Sequence, residues 1–295
     1  MTSIYVFPGQ GSQHVGMGVD LFAKYRDVVS TADRVLGYSI VDLCLQNDGN
    51  RLDRTEYTQP ALFVVSALSY MAKCDAGVEP DVAAGHSLGE YSALFAAGAF
   101  DFATGLSLVK KRGELMSGSA PGGMAAVIGL TEDEIMGILR VEGANEIDVA
   151  NLNGPRQIVL AGPVDDLARC KGPFLAAKAK NFLPLRVSAA FHSRYMTGVA
   201  DEFRTFLSKA RMHTPKFPVI SNVDAQPHEP EAIVEKLVAQ IVSPVRWTDT
   251  IRRLMSLDNP RFEEVGPGKV LSGLIRQIRK TEQPLMGSFD DRGAA

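Results

Sequence analysis

The chain has 295 residues, 45% of them apolar and 22% charged, with a formal net charge of −3. That is ordinary globular composition, long enough for one large core or two domains. It carries no global basic field of the kind that nucleic acid attracts, so no nucleic-acid partner is expected. The three cysteines, Cys44, Cys74 and Cys170, are odd in number and far apart, with neither a disulfide framework nor metal-ligand spacing. They point to a reducing compartment. The N-terminus, Met1-Thr2-Ser3-Ile4-Tyr5-Val6-Phe7, lacks a basic segment and a long apolar run. No window reaches ~18 uninterrupted apolar residues. A cytoplasmic protein without a membrane partner is expected.

Ile4 to Phe7 is a short apolar run that predicts a buried parallel strand. Pro8 stops it, and Gly9-Gln10-Gly11-Ser12-Gln13 follows. Such a loop lets backbone approach a ligand closely. It reads either as a phosphate cradle, though without the lysine of a P-loop, or as a plain strand-to-helix turn. Asp20 to Leu36 has a helical pattern. Tyr57-Thr58-Gln59-Pro60 reads as the end of a polar loop, with Pro60 opening an apolar helix from Ala61 to Lys73.

Val82-Ala83-Ala84 predicts a second strand, and Gly85-His86-Ser87-Leu88-Gly89-Glu90 follows it. A helical segment runs from Tyr91 to Ala99. Strand, Gly-x-Ser-x-Gly, helix is the context in which a serine becomes a nucleophile. Side chains at 85 and 89 would crowd the sharp turn, and the helix that follows aims its free N–H groups at the same spot.

Asp101 to Ser117 predicts a helix. At ~100° per residue, Ser107, Lys110, Lys111 and Glu114 share one arc. Leu106, Leu108, Val109, Leu115 and Met116 share the other, and Arg112 falls among them. An inward arginine requires a partner, because a buried unpaired charge costs several kcal/mol. The partner is either an internal carboxylate or the carboxylate of a substrate, which a planar guanidinium grips with two parallel hydrogen bonds.

Beyond Pro121-Gly122-Gly123 the pattern changes. Met124 to Gly129 predicts a strand, and Thr131-Glu132-Asp133-Glu134 opens a helix. Strands follow at Asp148 to Asn151 and Ile158 to Ala161, around a turn cluster. A helix from Pro163 to Ala179, interrupted at Pro173, precedes a strand from Phe182 to Val187. This β-α-β-β-α-β series fits a ferredoxin-like insert. Ser188-Ala189-Ala190-Phe191-His192-Ser193 leaves it, so His192 can face the cleft between two units. Further elements are expected at Asp201 to Lys209 (helix), Pro218 to Ser221 (strand), Glu231 to Ile241 and Thr248 to Leu257 (helices), Arg261 to Val265 (strand) and Val270 to Ile278 (helix). The tail Asp290-Asp291-Arg292-Gly293-Ala294-Ala295 reads as disordered.

Five stretches, in order, resemble one family over nearly the whole chain. They are Phe7-Pro8-Gly9-Gln10-Gly11-Ser12-Gln13, Gly85-His86-Ser87-Leu88-Gly89-Glu90, Lys111-Arg112-Gly113, Ala190-Phe191-His192-Ser193 and Val265-Gly266-Pro267-Gly268-Lys269. The family is that of the malonyl-CoA:acyl-carrier-protein transacylases. Residues 58–62 and 109–116 are most similar to the discrete trans-acting acyltransferases of polyketide synthases, with the fatty-acid enzyme as the alternative. The resemblance implies an α/β fold, with an α/β-hydrolase-like large domain (1–122 and 189–295) built on a parallel sheet. A ferredoxin-like small domain (123–188) would be inserted in it. It implies Ser87 as nucleophile, His192 as base, and the backbone N–H groups of Gln10 and Leu88 as the oxyanion hole. Arg112 would bind the malonyl carboxylate, and Phe191 would limit α-branching. Gln240, placed by a gapless count to Trp247, would orient His192 through its main-chain oxygen. The implied substrates are malonyl-CoA and an acyl carrier protein, with no metal or redox cofactor and a monomeric enzyme. Basic clusters at 110–111, 252–253 and 276–280 are candidate contacts for an acidic carrier. Two other readings share the serine turn. One is an esterase or thioesterase with Asp148 or Asp165 behind its histidine. The other is a carrier-docking subunit without activity.

Overall fold

In the computed structural model, residues 1–281 are described, so the expectation for the C-terminal tail lies outside the described residues. β1 (Ser3–Phe7) is apolar on both faces because helices cover both, which suits a parallel strand in a layered α/β fold. α1 (Val19–Phe22), α2 (Arg26–Leu36), α3 (Ile40–Leu45) and α4 (Thr55–Asp75) lead to β2 (Val82–Gly85). α5 (Gly89–Ala96) and α6 (Phe102–Ser117) complete the first half. Next come β3 (Gly123–Ile128), α7 (Glu132–Val141), β4 (Asp148–Gly154), β5 (Gln157–Gly162), α8 (Val164–Ala176) and β6 (Asn181–Pro184). The chain then supplies α9 (Thr197–Leu207), β7 (Val219–Ile220), α10 (Ile233–Val242), α11 (Trp247–Met255), β8 (Arg261–Glu264) and α12 (Val270–Thr281).

Two sheets result. One has the order β7-β2-β1-β8, with every neighbouring pair parallel. The other has the order β4-β5-β3-β6, with every pair antiparallel. The second order, with α7 and α8 as its two crossovers, is the ferredoxin-like arrangement expected from the element series. Each sheet has its own apolar layer. Ile135, Leu139, Leu160 and Phe174 pack on the antiparallel sheet, while Tyr5, Phe7, Phe63 and Leu94 belong to the large cluster around the parallel one. Main-chain hydrogen bonds join the two units. The Leu152 N–H donates to the Val245 carbonyl, and the Val245 N–H to the Ala150 carbonyl, both at 2.9 Å.

Four local expectations are corrected. The helix expected over 20–36 is broken at Tyr25, whose φ of −114° and ψ of 47° are not helical. Its hydroxyl donates to Asp75 at 2.7 Å, and Lys24 pairs with the same carboxylate, which ties the connection to the end of α4. Residues 57–60 are not a loop but lie within the first two turns of α4, with Thr58, Gln59 and Pro60 all buried. The Thr58 hydroxyl holds that turn, lying 2.6 Å from the Leu52 carbonyl and 2.9 Å from the Arg54 carbonyl. Pro173 does not interrupt α8. The carbonyl it leaves unbonded belongs to Arg169, which is exposed, so water can satisfy it. β6 ends at Pro184 rather than at Val187: the Leu185 N–H still donates to the Met124 carbonyl at 2.9 Å, but the Val187 N–H turns back to the Leu185 carbonyl at 3.0 Å.

Candidate active site

Ser87 follows β2 and precedes α5. It has a φ of 51°, a left-handed conformation that a non-glycine residue adopts at some cost. Two clamps hold it there. The Ser87 N–H donates to Asn222 Oδ1 at 2.6 Å, and Asn222 Nδ2 donates to the Gly85 carbonyl at 2.7 Å. The turn is also sterically closed. A Cβ on Gly85 would overlap the Gly89 carbonyl, and one on Gly89 would overlap the Phe7 carbonyl. Both glycines are therefore required by close backbone approach.

His192 lies in a second left-handed turn, with φ of 56°. Its Nε2 is 2.7 Å from Ser87 Oγ, and its Nδ1 is 2.8 Å from the Gln240 carbonyl oxygen. A carbonyl only accepts, so Nδ1 carries the proton and Nε2 is left as the acceptor for the Ser87 hydroxyl. No carboxylate stands behind the ring. Asp148 accepts instead from the Arg194 side chain and N–H, and Asp165 is exposed in the first turn of α8. The esterase-like arrangement with either acid is thereby excluded.

His192 is 4% exposed. Burial first, and the nearby Arg112 charge second, push its pKa down to about 3. The neutral ring is the dominant form in the folded chain above about pH 3. The linkage has a definite sign. An unfolded chain protonates this histidine below about 6.5, whereas the folded chain does not until about 3. Its contribution to stability is thus complete above about 6.5 and is lost as pH falls toward 3, by about 1.4 kcal/mol per pH unit. The expected result is a steeper loss of urea midpoint between pH 6.5 and 4 in the native chain than in His192→Asn. Equal slopes would contradict the assignment.

Arg112, on α6, is fully buried, as its helical position predicted. Its Nη1 donates to Gln59 Oε1 at 2.7 Å, and its Nη2 donates to Gln240 Oε1 at 3.0 Å and to Ser87 Oγ at 3.1 Å. The guanidinium carbon lies 5.5 Å from the centre of the Tyr91 ring. Its Nε–H is buried without a protein acceptor. Among the described residues it has no ion-pair partner. Of the two partners the sequence left open, no internal carboxylate contacts the guanidinium directly, though the buried Glu90 charge acts on it from nearby, and it sits against the serine with donor capacity to spare. Burial lowers its pKa from the ordinary arginine value.

The Gln10 loop comes from the other end of β1. A Cβ on Gly9 would overlap the His86 carbonyl, so this loop is pressed directly against the serine turn. Among the described residues, neither the Gln10 nor the Leu88 N–H donates to a protein acceptor, whereas the neighbouring Gly89 N–H is bonded to the His86 carbonyl at 2.9 Å. Both N–H groups are therefore left without a protein partner. The Val265-Gly266-Pro267-Gly268 stretch supports this loop. A Cβ on Gly266 would press on Pro8, and one on Gly268 would meet Ser12. Phe191 is buried beside His192, and both it and Leu88 belong to the large apolar cluster.

A cleft of about 750 Å³ opens onto His192 and Ser193. Its walls come from both units, with Met136 and Arg140 on α7, Asp148 on β4, and Arg194 and Pro244 opposite. Several side chains of the basic stretches also make contacts within the chain. Lys110 donates to the Val35 carbonyl, Lys111 pairs with Glu202 at 2.8 Å, and Arg279 donates to the Pro260 carbonyl. Arg252 reaches Asp249 at 3.3 Å.

Sequence reasoning missed Asn222 and Gln59 as site residues and gave Glu90 no role. Glu90 and Gln59 stood inside quoted motifs. Asn222 carried no local signal, because its partners lie 135 and 137 positions away.

Residues 4–286 match the family model described as an acyl transferase domain. The chain belongs to the acyl transferase family. This acyl transferase is 52% identical over 277 residues to the polyketide biosynthesis malonyl CoA-acyl carrier protein transacylase BaeC of Bacillus velezensis, covering 93% of this chain and 96% of that one. Among solved structures, it matches the malonyl CoA-acyl carrier protein transacylase of Burkholderia pseudomallei with a TM-score of 0.92 at 45% identity, over 96% of this chain and 99% of the other. A type II polyketide-synthase malonyl-transacylase, solved in complex with its acyl-carrier protein, matches with a TM-score of 0.90 at 37% identity, over 95% and 94% of the two chains. Among the described residues of the acyl transferase, no helix is long and apolar enough to cross a membrane.

Proposed function

We propose that the chain transfers a malonyl group from malonyl-CoA to the phosphopantetheine thiol of an acyl carrier protein, in trans for a polyketide synthase. The observation that carries the acyl-group assignment is Arg112. It is a buried guanidinium 3.1 Å from Ser87 Oγ with an unpartnered Nε–H. An acyl group bearing a free carboxylate supplies the missing acceptor. An acetyl group leaves the charge unpaired, and that difference is selectivity.

In the proposed chemistry His192 Nε2 takes the Ser87 proton as Oγ attacks the thioester carbonyl. The Gln240 carbonyl holds the ring in the required tautomer and accepts from the imidazolium Nδ1–H that forms. The Gln10 and Leu88 N–H groups receive the oxyanion, each worth about 2.7–4 kcal/mol at such sites. CoA leaves as its thiol, reprotonated by His192, and malonyl-Ser87 remains. The carrier thiol then repeats the sequence in reverse. One thioester is exchanged for another without a change of oxidation state, so the transfer calls for no redox cofactor. Phe191 and Leu88 restrict the room beside the α-carbon. One methyl is worth only ~1–3 kcal/mol, so slow transfer of methylmalonyl is expected. The unit spanning 123–188 forms the outer wall of the cleft through which both thioesters reach Ser87, and the reaction is cytoplasmic.

The test is an intact-mass measurement after mixing with malonyl-CoA. A malonyl adduct that is absent in Ser87→Ala and discharged by a phosphopantetheinylated carrier protein supports the transferase. Release of free malonate with no adduct supports a hydrolase. An unreacted chain supports a docking role alone.

A further inference from the structure

Glu90 stands in the first turn of α5 and is fully buried, yet it touches no reacting group in the proposed transfer. Three donors converge on it. His228 Nε2 lies 2.6 Å from Oε1. The Asn222 N–H lies 3.1 Å and Gln240 Nε2 2.7 Å from Oε2. An acceptor-only group suits this position, since none of the three partners needs a proton there.

The consequence lies at Gln240. A side-chain amide can present either its oxygen or its NH2 to a neighbour. Glu90 removes that freedom. Gln240 Nε2 donates to Glu90 and to the Ser87 carbonyl, at 2.9 Å for the latter, so Oε1 must face Arg112 Nη2. The reversed amide would put NH2 against a guanidinium, donor against donor, between two fully buried side chains. The same Gln240 supplies the main-chain oxygen to His192. Glu90 also accepts the N–H of Asn222, the residue that clamps both ends of the serine turn.

We propose that Glu90, seated on His228, is a positioning residue for acyl-group selectivity. By fixing the polarity of the Gln240 amide it holds the Arg112 guanidinium where a substrate carboxylate meets it. This rests on the malonyl reading given above.

The test is a double-mutant cycle of native chain, Glu90→Gln, Gln240→Met and the double variant. The readout is the ratio of kcat/KM for malonyl-CoA to that for acetyl-CoA, with Ser87 acylation by p-nitrophenyl acetate measured alongside. A carboxamide at 90 cannot accept from all three donors, and the Gln240 side chain is the one free to rotate. The expected result is a drop in the ratio of ~10- to 100-fold in Glu90→Gln, the worth of a misplaced hydrogen bond to a charged group. Gln240→Met keeps the main-chain oxygen on His192 and should show a drop of the same size. The double variant should add nothing further, because both changes act through one amide. Acylation by the neutral ester should stay within about threefold of native in Glu90→Gln, since its acyl group makes no carboxylate contact and Glu90 touches no reacting group. Additive losses, or equal losses on both thioesters, would mean a merely structural role and overturn the proposal. If Glu90→Gln does not fold, Gln240→Met alone decides, and an unchanged ratio there refutes it. A native chain with no preference for malonyl-CoA would instead overturn the malonyl reading itself.

Discussion

Arg112→Ala is expected to lower kcat/KM for malonyl-CoA by about 100- to 1,000-fold, the cost of removing one partner of a buried charge pair. Activity toward acetyl-CoA should rise relative to malonyl-CoA, and about tenfold in absolute terms once no charge is left unpaired in the acetyl complex. The reason is local. Gln59 and Gln240 orient the guanidinium by neutral oxygens only, and neither neutralises it. A direct carboxylate partner would have silenced the residue, because an internal ion pair leaves little for a substrate to gain. Steady-state kinetics with the two thioesters checks this, and an unchanged preference would sink the assignment. Arg112→Lys is not expected to restore the native ratio. A single ammonium lacks the planar fork and cannot keep Gln59, Gln240 and Ser87 engaged together.

His192→Ala should have the largest effect, lowering Ser87 acylation by malonyl-CoA by about 10⁴-fold or more. Among the described residues, the imidazole Nε2 is the one neutral acceptor within hydrogen-bond distance of Ser87 Oγ. The other neighbour of that oxygen, Arg112 Nη2, is a donor. Neither Asp148, committed to Arg194, nor exposed Asp165 can take over as base. The formation rate of the malonyl adduct, followed by mass, measures the loss. A variant that acylates within tenfold of native would show that the proton leaves by another route. The pH profile offers a companion check. With the histidine held near 3, acylation should show no inflection between pH 6 and 7, where an ordinary histidine titrates.

Much of this was legible in the chain because it is encoded between near neighbours. Gly85, Ser87 and Gly89 describe one tight turn whose atoms collide unless positions 85 and 89 lack side chains. The inward placement of Arg112 follows from its angular position among Leu108, Val109 and Met116. The β-α-β-β-α-β series from Gly123 to Pro184 is a succession of local periodicities, and a ferredoxin-like sheet is the compact way to pair them. The misread stretches failed where a distant partner outweighed the local signal. Gln59 and Pro60 have the composition of a loop, yet α4 is helical there because that turn is buried against α6 and Gln59 faces Arg112. The helix expected over 20–36 breaks at Tyr25, whose hydroxyl is drawn to Asp75, 50 residues ahead.

By itself, then, the sequence determined the type of chemistry: a strained serine, a glycine loop, a histidine leaving a strand and an arginine turned inward. Only the tertiary structure decided what surrounds each of them. It placed a carbonyl rather than a carboxylate behind His192, and gave Arg112 neutral oxygens as its direct acceptors. It also gathered Glu90, Asn222, His228 and Gln240 into one buried network behind Ser87. Helix and strand periodicities reach only a few residues. Hydrogen bonds between groups more than a hundred positions apart exist only once packing has removed water and set those groups face to face.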